Sequence, residues 1–182
     1  MNFIKSRLNG VWIIEPKAFA DARGYFMETY RQSLFKQHVG SVSFVQDNES
    51  KSARGVLRGL HYQLPPFAQS KLVRVISGEV LDVAVDIRKA SPTFGQHVAV
   101  TLTAENRRQL FIPRGFAHGF LVLSSEAIFT YKVDNTYSPQ HERSIRFDDP
   151  DIGIAWGMDA SLLLLSEKDK NSAKPLREAD VF

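Results

Sequence analysis

The chain has 182 residues, a length typical of one globular domain, with 43% hydrophobic and 24% charged residues. It contains no cysteine, which excludes disulfides, thiolate zinc sites and cysteine nucleophiles. The net charge is +3 without a long run of like charges, so we expect no nucleic-acid partner. The first residues form no signal-peptide core, and no apolar run reaches the ~18 residues of a membrane span. We therefore expect a cytoplasmic protein with no membrane partner.

Short runs of alternating residues, separated by turn signals, predict about ten strands along the chain. In chain order they cover residues 11–15, 42–48, 56–63, 71–77, 79–87, 97–103, 108–113, 119–124, 127–133 and 144–149. One helix is predicted over residues 30–38, and a helical turn over 159–165 precedes an irregular polar tail. The alternation in 79–87 predicts a half-buried strand, and Ser77 with Gly78 predicts a tight hairpin turn before it.

This many short strands in one domain predict an all-β fold, a sandwich or barrel and most plausibly a jelly roll. We expect a single domain over residues 1–182 with an irregular C-terminal tail. Barrels of this kind hold ligands between their sheets, so function depends on the residues that point into the cavity.

The stretch RGLHYQLPP, residues 58–66, places one histidine just before two prolines. A histidine metal site usually needs three or four ligands, but Gln63 stands two residues after His61 and no acid follows until Glu79. The spacing disfavours a metal ligand, and an imidazole suits proton transfer at neutral pH. Such a base needs an orienting carboxylate, and spacing leaves four candidates open: Asp82, Asp86, Asp148 and Asp169.

Lys71 and Tyr131 each allow a catalytic and a structural interpretation. Lys71 begins a predicted strand, where it either stabilises an enolate oxygen, binds phosphate, or lies exposed at the strand edge. Tyr131 shares a strand face with Phe129 and Val133, so its hydroxyl is either a general acid or a satisfied group in a packed core. Spacing alone favours the structural interpretation of both residues.

Residues 17–30, KAFADARGYFMETY, mix aromatic and charged side chains. Aromatic rings beside Arg23 suit a nucleotide base and its diphosphate, but the segment can equally pack on the barrel or on a partner subunit. His118, in PRGFAHGF, either points into the barrel, where it meets His61 in space, or caps a turn.

Several motifs follow one another along the chain: DARGYFMETY, QDNESKSARGVLRGLHYQLPPFAQSKLVRVISGEVLDVAVDIRKASPTFG, PRGFAHGF, YKVDNTYSPQHE and SEKD. Together they closely resemble the dTDP-4-dehydrorhamnose 3,5-epimerase family, the third enzyme of the dTDP-L-rhamnose pathway. The resemblance implies a cupin-type jelly roll, a homodimer, and an epimerase without metal or redox cofactor. The implied substrate is the dTDP-sugar dTDP-4-dehydro-6-deoxy-D-glucose, whose C3 and C5 protons both lie alpha to the C4 ketone.

The resemblance also implies roles for individual residues. It makes His61 the base and Asp169 its carboxylate partner. Lys71 becomes the cation that stabilises the C4 enolate oxygen, and Tyr131 the general acid on the opposite sugar face. The implied substrate-binding positions are Arg58 and His118 around the sugar and diphosphate, Tyr137 on the thymine, Phe19 and Phe26 near the nucleotide, and Arg23, Glu28, Gln46, Asp47, Asn48, Glu142 and Lys168.

One local detail conflicts with regular strand alternation. Arg58 and His61 are three residues apart, which puts their side chains on opposite faces of a regular strand, whereas the resemblance needs both near the substrate. We therefore predict a β-bulge at Gly59.

Other functions stay open at this point. A relative with the same fold would epimerise C3 or C5 alone, or act as a 3,4-ketoisomerase on the same nucleotide sugar. A non-catalytic cupin would bind the nucleotide sugar without turning it over, and a metal-dependent cupin enzyme is a third possibility. The rhamnose product has three possible destinations: lipopolysaccharide, another wall polymer or a secondary metabolite.

Overall fold

The computed structural model describes residues 1–182 and contains two large antiparallel sheets and a separate two-stranded hairpin. The strands are β1 (Asn2–Lys5), β2 (Trp12–Glu15), β3 (Ala18–Asp21), β4 (Gly24–Met27), β5 (Gln46–Ala53), β6 (Leu57–Gln63), β7 (Lys71–Ser77), β8 (Glu79–Asp86), β9 (His97–Thr103), β10 (Gln109–Ile112), β11 (Phe116–Val122), β12 (Glu126–Val133) and β13 (Glu142–Ser144). The helices are α1 (Gln32–His38) and α2 (Glu167–Asn171), with 3-10 turns at Ala160–Leu162 and Leu176–Glu178. Neither α-helix has the length and hydrophobicity of a membrane-spanning helix.

The six-stranded sheet has the order β1-β2-β10-β7-β12-β5, and the five-stranded sheet has the order β13-β6-β11-β8-β9. β3 and β4 pair only with each other. Strands that follow one another in the chain, such as β7 and β8, lie in different sheets, so the chain crosses repeatedly between the two layers. This arrangement confirms the predicted all-β jelly roll.

The main hydrophobic core lies between the two sheets. Val73 and Phe129 enter it from the six-stranded sheet, and Ala84 and Phe120 enter it from the five-stranded sheet. The rings of Phe120 and Phe129 stack with centroids 4.1 Å apart. Burying each ring contributes roughly 1.5–3 kcal/mol, so this contact ties the two sheets together.

The strand predicted over 79–87 is present as β8, but the prediction that it is half-buried is wrong. Val80 and Ala84 face the core between the sheets, while Val83 and Val85 on the opposite face are also fully buried. Residues of the C-terminal segment, including Trp156, pack over that second face. Alternation within a strand cannot reveal a cover that comes from a distant part of the chain.

The turn at Ser77 and Gly78 is not the predicted hairpin, because it connects β7 in one sheet to β8 in the other. Gly78 has a φ of +82°, and a Cβ there would lie 2.1 Å from the carbonyl oxygen of Glu126. Only glycine fits this corner, so the predicted turn is present, but it connects the two sheets instead of two strands of one hairpin.

Other elements agree in part with the predictions made from the sequence. The helix predicted over residues 30–38 is confirmed as α1, and the turn predicted over 159–165 is reduced to residues 160–162. The strand predicted over 144–149 is wrong beyond Ser144, because the chain there turns into the C-terminal segment that covers β8. The sequence analysis did not predict β1, the β3–β4 hairpin or α2.

Candidate active site

A cavity of about 520 Å³ opens between the two sheets, and both sheets line it. β6 and β11 form one wall, β7 and β12 form the other, and residues around α2 close a side. It contains part of the residue set that the resemblance implies: Arg58, His61, Lys71, His118, Tyr131, Lys168 and Asp169. The fold thus brings together side chains from distant motifs.

β6 contains the bulge predicted at Gly59, which confirms that prediction. The step from His61 to Arg58 spans three residues on β6 but only two on its partner β11. Gly59 has a φ of +128°, and a Cβ there would lie 2.5 Å from the α-carbon of Gly119. The extra residue lets the Arg58 and His61 side chains reach the same cavity.

His61 and Asp169 form a hydrogen-bonded pair through His61 Nε2 and Asp169 Oδ1. The other three candidate carboxylates are engaged elsewhere: Asp82 with His118, Asp86 with Arg88, and Asp148 with Arg146. A carboxylate on Nε2 keeps the proton on that nitrogen, so Nδ1 carries the lone pair that can accept a proton.

The short helix α2 positions Asp169. Ser166 caps this helix, since its Oγ accepts a hydrogen bond from the Asp169 backbone N–H at 3.1 Å and donates to Asp169 Oδ2 at 2.8 Å. Burial works to raise the pKa of Asp169, but the hydrogen bond and charge of His61, together with the Ser166 hydroxyl, hold that pKa below its ordinary value. Asp169 is therefore ionised beside His61 at neutral pH.

Lys71 begins β7 and lines the cavity from the six-stranded sheet, so it is not an exposed edge residue. Its Nζ lies 5.9 Å from the ring centroid of Tyr131 and forms no ion pair within the chain. Burial lowers the pKa of Lys71 to about 8, and the negative charges of Asp82 and Glu142 oppose that shift. At neutral pH the wall of the cavity therefore carries an ammonium without an ion-pair partner.

Tyr131 lies on β12 with its ring packed near Phe129, at a centroid distance of 6.2 Å. Burial raises the pKa of Tyr131, and the positive charge of Arg58 opposes this effect without cancelling it. The phenol consequently stays protonated at neutral pH and is a hydrogen donor in the cavity.

A second histidine–aspartate pair lies next to the first. His118 Nε2 is 2.9 Å from Asp82 Oδ2, and the two side chains are 7% and 0% exposed. Burial lowers the pKa of His118 although the Asp82 charge acts in the opposite direction, so His118 is neutral at pH 7. A carboxylate only accepts, so His118 Nε2–H donates to Asp82 and Nδ1 is an acceptor.

A polar cluster of Tyr137, Glu142 and Lys168 lies beside the cavity. The Tyr137 hydroxyl and the Lys168 Nζ both lie 2.5 Å from Glu142 Oε2. Burial works to raise the pKa of Glu142, but these two contacts hold it below its ordinary value. Tyr137 is 55% exposed, which leaves its ring available for stacking.

Gln46, Asp47 and Asn48 lie on the edge strand β5 and do not line the cavity. Gln46 Nε2 donates to Asn48 Oδ1 at 2.7 Å, and Asp47 forms an ion pair with Lys132 at 2.8 Å. Asp47 and Asn48 line a separate groove of about 340 Å³, which shares Tyr131 with the cavity.

Phe19, Arg23 and Phe26 lie on the β3–β4 hairpin, outside the cavity. Phe19 and Phe26 are cross-strand partners and are 57% and 71% exposed. Arg23, on the hairpin turn, and Glu28, just after β4, form ion pairs with nearby residues. Within one chain the structure does not bring these four residues together with His61.

The sequence analysis overlooked Ser166, which holds the carboxylate of the pair. A signal was available, because Ser166 and Asp169 in SEKD have the spacing of a helix-capping pattern. It also missed Leu164 and Leu165, which line the cavity and for which no sequence pattern exists. No group of three or more His, Asp or Glu side chains is placed to hold a metal ion.

Comparisons with known proteins identify the family of the chain. The family model for dTDP-4-dehydrorhamnose 3,5-epimerase matches residues 5–178 of the chain. The dTDP-4-dehydrorhamnose 3,5-epimerase of Shigella flexneri is 58% identical over 183 residues, which cover 100% of this chain and 99% of that protein.

Solved structures are similar over nearly the same length. The dTDP-6-deoxy-D-glucose-3,5-epimerase of Legionella pneumophila, in complex with dTDP-4-keto-L-rhamnose, matches with a TM-score of 0.94 and 48% identity over 98% of this chain and 94% of that one. A 3′-monoepimerase from Streptomyces bikiniensis, in complex with dTDP-quinovose, matches with a TM-score of 0.88 and 37% identity over 96% and 87% of the two chains. On these matches in sequence and fold, the chain belongs to the dTDP-4-dehydrorhamnose 3,5-epimerase family of isomerases.

Proposed function

We propose that this chain inverts C3 and C5 of dTDP-4-dehydro-6-deoxy-D-glucose to give dTDP-4-dehydro-L-rhamnose in dTDP-L-rhamnose synthesis. One observation carries the proposal: His61 on β6 and Tyr131 on β12 line a single cavity from facing sheets. Epimerisation removes a proton from one face of a carbon and adds a proton to the opposite face. A sugar ring held between the sheets meets one of these groups on each face.

His61 is the base in this mechanism. Nδ1 takes the proton from C3 or C5, and the imidazolium that forms is stabilised by the ionised Asp169 on Nε2. The electron pair of the broken C–H bond moves into the C4 carbonyl and gives an enolate. Because the substrate gains and loses only protons, the reaction requires no redox cofactor.

Lys71 stabilises the enolate. A proton alpha to a ketone is too weakly acidic for an imidazole alone, so the negative charge on the C4 oxygen needs a fixed positive partner. The Lys71 ammonium has no ion-pair partner in the chain and is therefore available to that oxygen. Removing one such donor typically lowers the rate by roughly 100- to 1,000-fold.

Tyr131 completes the inversion as the general acid. Its raised pKa keeps the hydroxyl protonated until the enolate forms, and it then donates to the carbon from the face opposite His61. Exchange with solvent afterwards removes the proton from His61 and returns one to Tyr131. Repeating the cycle at the second carbon inverts both centres.

Binding of the nucleotide depends on the residues around the cavity. We assign the cations Arg58 and Lys168 to the diphosphate and the exposed ring of Tyr137, held by Glu142, to the thymine. His118 accepts a hydrogen bond from the sugar. The remaining substrate-binding assignments are Gln46, Asp47 and Asn48 on β5. Asp47 and Asn48 line a groove together with Tyr131, and Gln46 donates a hydrogen bond to Asn48.

We also propose a homodimer in which the β3–β4 hairpin of one chain supplies Phe19, Arg23, Phe26 and Glu28 to its partner's site. Two exposed phenylalanine rings on one face of a small hairpin are a typical interaction surface. Light scattering at micromolar concentration should give about twice the chain mass of 20.5 kDa. A monomer with full activity would contradict this arrangement.

Deuterium incorporation tests the reaction itself. With substrate and enzyme in heavy water, we expect label at both C3 and C5 of the product, and no label with His61→Asn. Label at C3 alone would support a single-centre enzyme, the alternative that the Streptomyces bikiniensis 3′-monoepimerase keeps open. Binding without any label would overturn the epimerase proposal in favour of a non-catalytic binding protein.

Two expectations from the sequence complete the proposal. A cytoplasmic location is tested by cell fractionation, and the presence of the protein in the membrane or periplasmic fraction would contradict it. A single domain over residues 1–182 predicts one cooperative unfolding transition, whereas two separate transitions would contradict it.

A further inference from the structure

Asp82 is a buried charged residue that the steps above do not use. It lies in the middle of β8 with 0% of its surface exposed. Oδ2 accepts the hydrogen bond from His118, but Oδ1 has no hydrogen-bond partner. Buried polar atoms are almost always paired in native proteins, so the free oxygen of Asp82 requires an explanation.

The positive charge of Lys71 explains why a carboxylate with an unpaired oxygen is buried at position 82. Its ammonium is also without an ion-pair partner, and it lies in the sheet that faces β8. Two carboxylates favour its charged form, and Asp82 does so more strongly than Glu142. Asp82 is fully buried and Lys71 is partly buried at the cavity wall, so water screens their interaction less than it screens charges on the surface.

We propose that Asp82 is a positioning residue that keeps Lys71 in its ammonium form and fixes His118 as the tautomer with a free Nδ1 acceptor. The inference rests on the proposed function, in which Lys71 stabilises the enolate. Asp82 touches no substrate atom in this scheme and acts only through these two side chains.

The other charged and titratable groups near Lys71 do not replace Asp82 as the negative charge that favours its ammonium form. The groups that act on Lys71 or its neighbours are Asp82 from β8, His118 from β11, Tyr131 from β12 and Glu142 from β13. The same cavity is also lined by the charged or titratable residues Glu49, Arg58, His61, Lys168 and Asp169. Among the carboxylates, Asp169 is paired with His61 and Glu142 with Lys168, and Glu49 lies on the edge strand β5. The charge of Asp82 is therefore the principal one available to Lys71.

The consequence is a pH dependence on the alkaline side. With Asp82 in place, burial lowers the pKa of Lys71 only to about 8. Without the negative charge, burial lowers that pKa further and the amine becomes neutral near physiological pH. A neutral amine no longer balances an enolate, so activity should disappear at a lower pH.

The first experiment compares the pH profile of kcat/KM for the wild type and Asp82→Asn between pH 6 and 9. We expect the alkaline midpoint of Asp82→Asn to fall by about one pH unit, with the largest loss of activity near pH 8 and the smallest near pH 6.5. Glu79→Gln, which removes a carboxylate from the same strand, is the matched control and should leave the midpoint unchanged. In a Lys71→Arg background, Asp82→Asn should cause no shift, because arginine does not titrate in this range.

An unchanged alkaline midpoint in Asp82→Asn would overturn the proposal. A second measurement follows the Lys71 Nζ and His118 ring nitrogens by NMR without substrate, so it does not depend on turnover or on a variant that folds. In the wild type we expect a Lys71 midpoint near 8 and a His118 proton on Nε2 alone. A Lys71 midpoint below 7, or a proton on Nδ1, would refute the inference, whereas an inactive wild type would refute only the proposed function.

Discussion

The two histidine–aspartate pairs contain the same chemical groups but have opposite properties. His61 and His118 are partners across β6 and β11, yet their side chains are 26% and 7% exposed. Asp169 reaches His61 from a short capped helix, while Asp82 belongs to a strand buried on both faces. Burial lowers the pKa of His118 and keeps that second imidazole neutral. The greater exposure of His61 is the structural reason for proposing it, rather than His118, as the base.

The largest expected loss of activity comes from replacing His61, and comparison with a His118 variant tests whether the two histidines have different roles. His61→Asn removes the base, and we expect kcat to fall by roughly 1,000-fold. His118→Asn removes the proposed sugar contact and the hydrogen bond to Asp82 but not the proposed base, and a loss of about 10-fold is expected. Steady-state kinetics at pH 7.5 measures both variants, and equal losses would contradict the assignment of different roles.

Tyr131→Phe tests whether His61 works from one face only. Without the acid, His61 can return its proton only to the face it came from, so we expect inversion to fall by roughly 100-fold. Deuterium exchange into unreacted substrate should continue at a much higher rate than inversion. Inversion that stays at the wild-type rate would show that the acid is another group.

Asp169→Asn weakens the base without removing it. The amide cannot stabilise the imidazolium, and a loss of about 50-fold in kcat is expected for such a supporting partner. Ser166→Ala removes the hydroxyl that holds Asp169 but keeps the charge, so its loss should be smaller, about 5-fold. The reverse order of the two losses would indicate that Ser166 acts directly on the substrate.

The smallest effect on activity is expected for Asp86, a third buried aspartate that lies four residues after Asp82 on the same strand. Burial works to raise its pKa, but hydrogen bonds from Arg88, Ser91 and Thr93 lower that pKa to about 2. Because the folded pKa lies below the ordinary aspartate pKa of about 3.9, ionised Asp86 stabilises the fold above about pH 4.

Asp86→Asn should therefore lower the free energy of unfolding by about 2 kcal/mol at pH 7 with kcat nearly unchanged. The difference from the wild type should shrink as the pH falls from about 4 towards about 2, where the wild-type carboxylate becomes protonated. Urea unfolding at several pH values measures it. A large loss of kcat in this variant would indicate that catalysis depends on any buried carboxylate in β8. That result would contradict the specific role proposed for Asp82.

Local patterns predicted the positions of most strands along the chain. The bulge at Gly59 followed from the spacing of Arg58 and His61 together with the family resemblance, which implied that both lie near the substrate. The helix α2 was missed although the SEKD pattern signals a cap, because a five-residue helix has too little periodicity to detect. The β3–β4 hairpin was missed since its alternation is short and both of its faces contain aromatic residues.

The residues of RGLHYQLPP and the absence of cysteine were enough to propose a histidine base and to exclude thiolate chemistry. Spacing alone could not choose among four aspartates as the partner of His61, because a strand or helix pattern describes neighbours within about four residues of one another, and only the family resemblance implied Asp169. The pairing depends on the packing of the C-terminal segment over the five-stranded sheet, which brings Asp169 to His61 across 108 positions. Asp82 and His118 instead lie on the face between the two sheets, where Phe129 of the facing sheet stacks on His118. Burial, a property of the whole fold, therefore distinguishes two pairs that look alike in the chain.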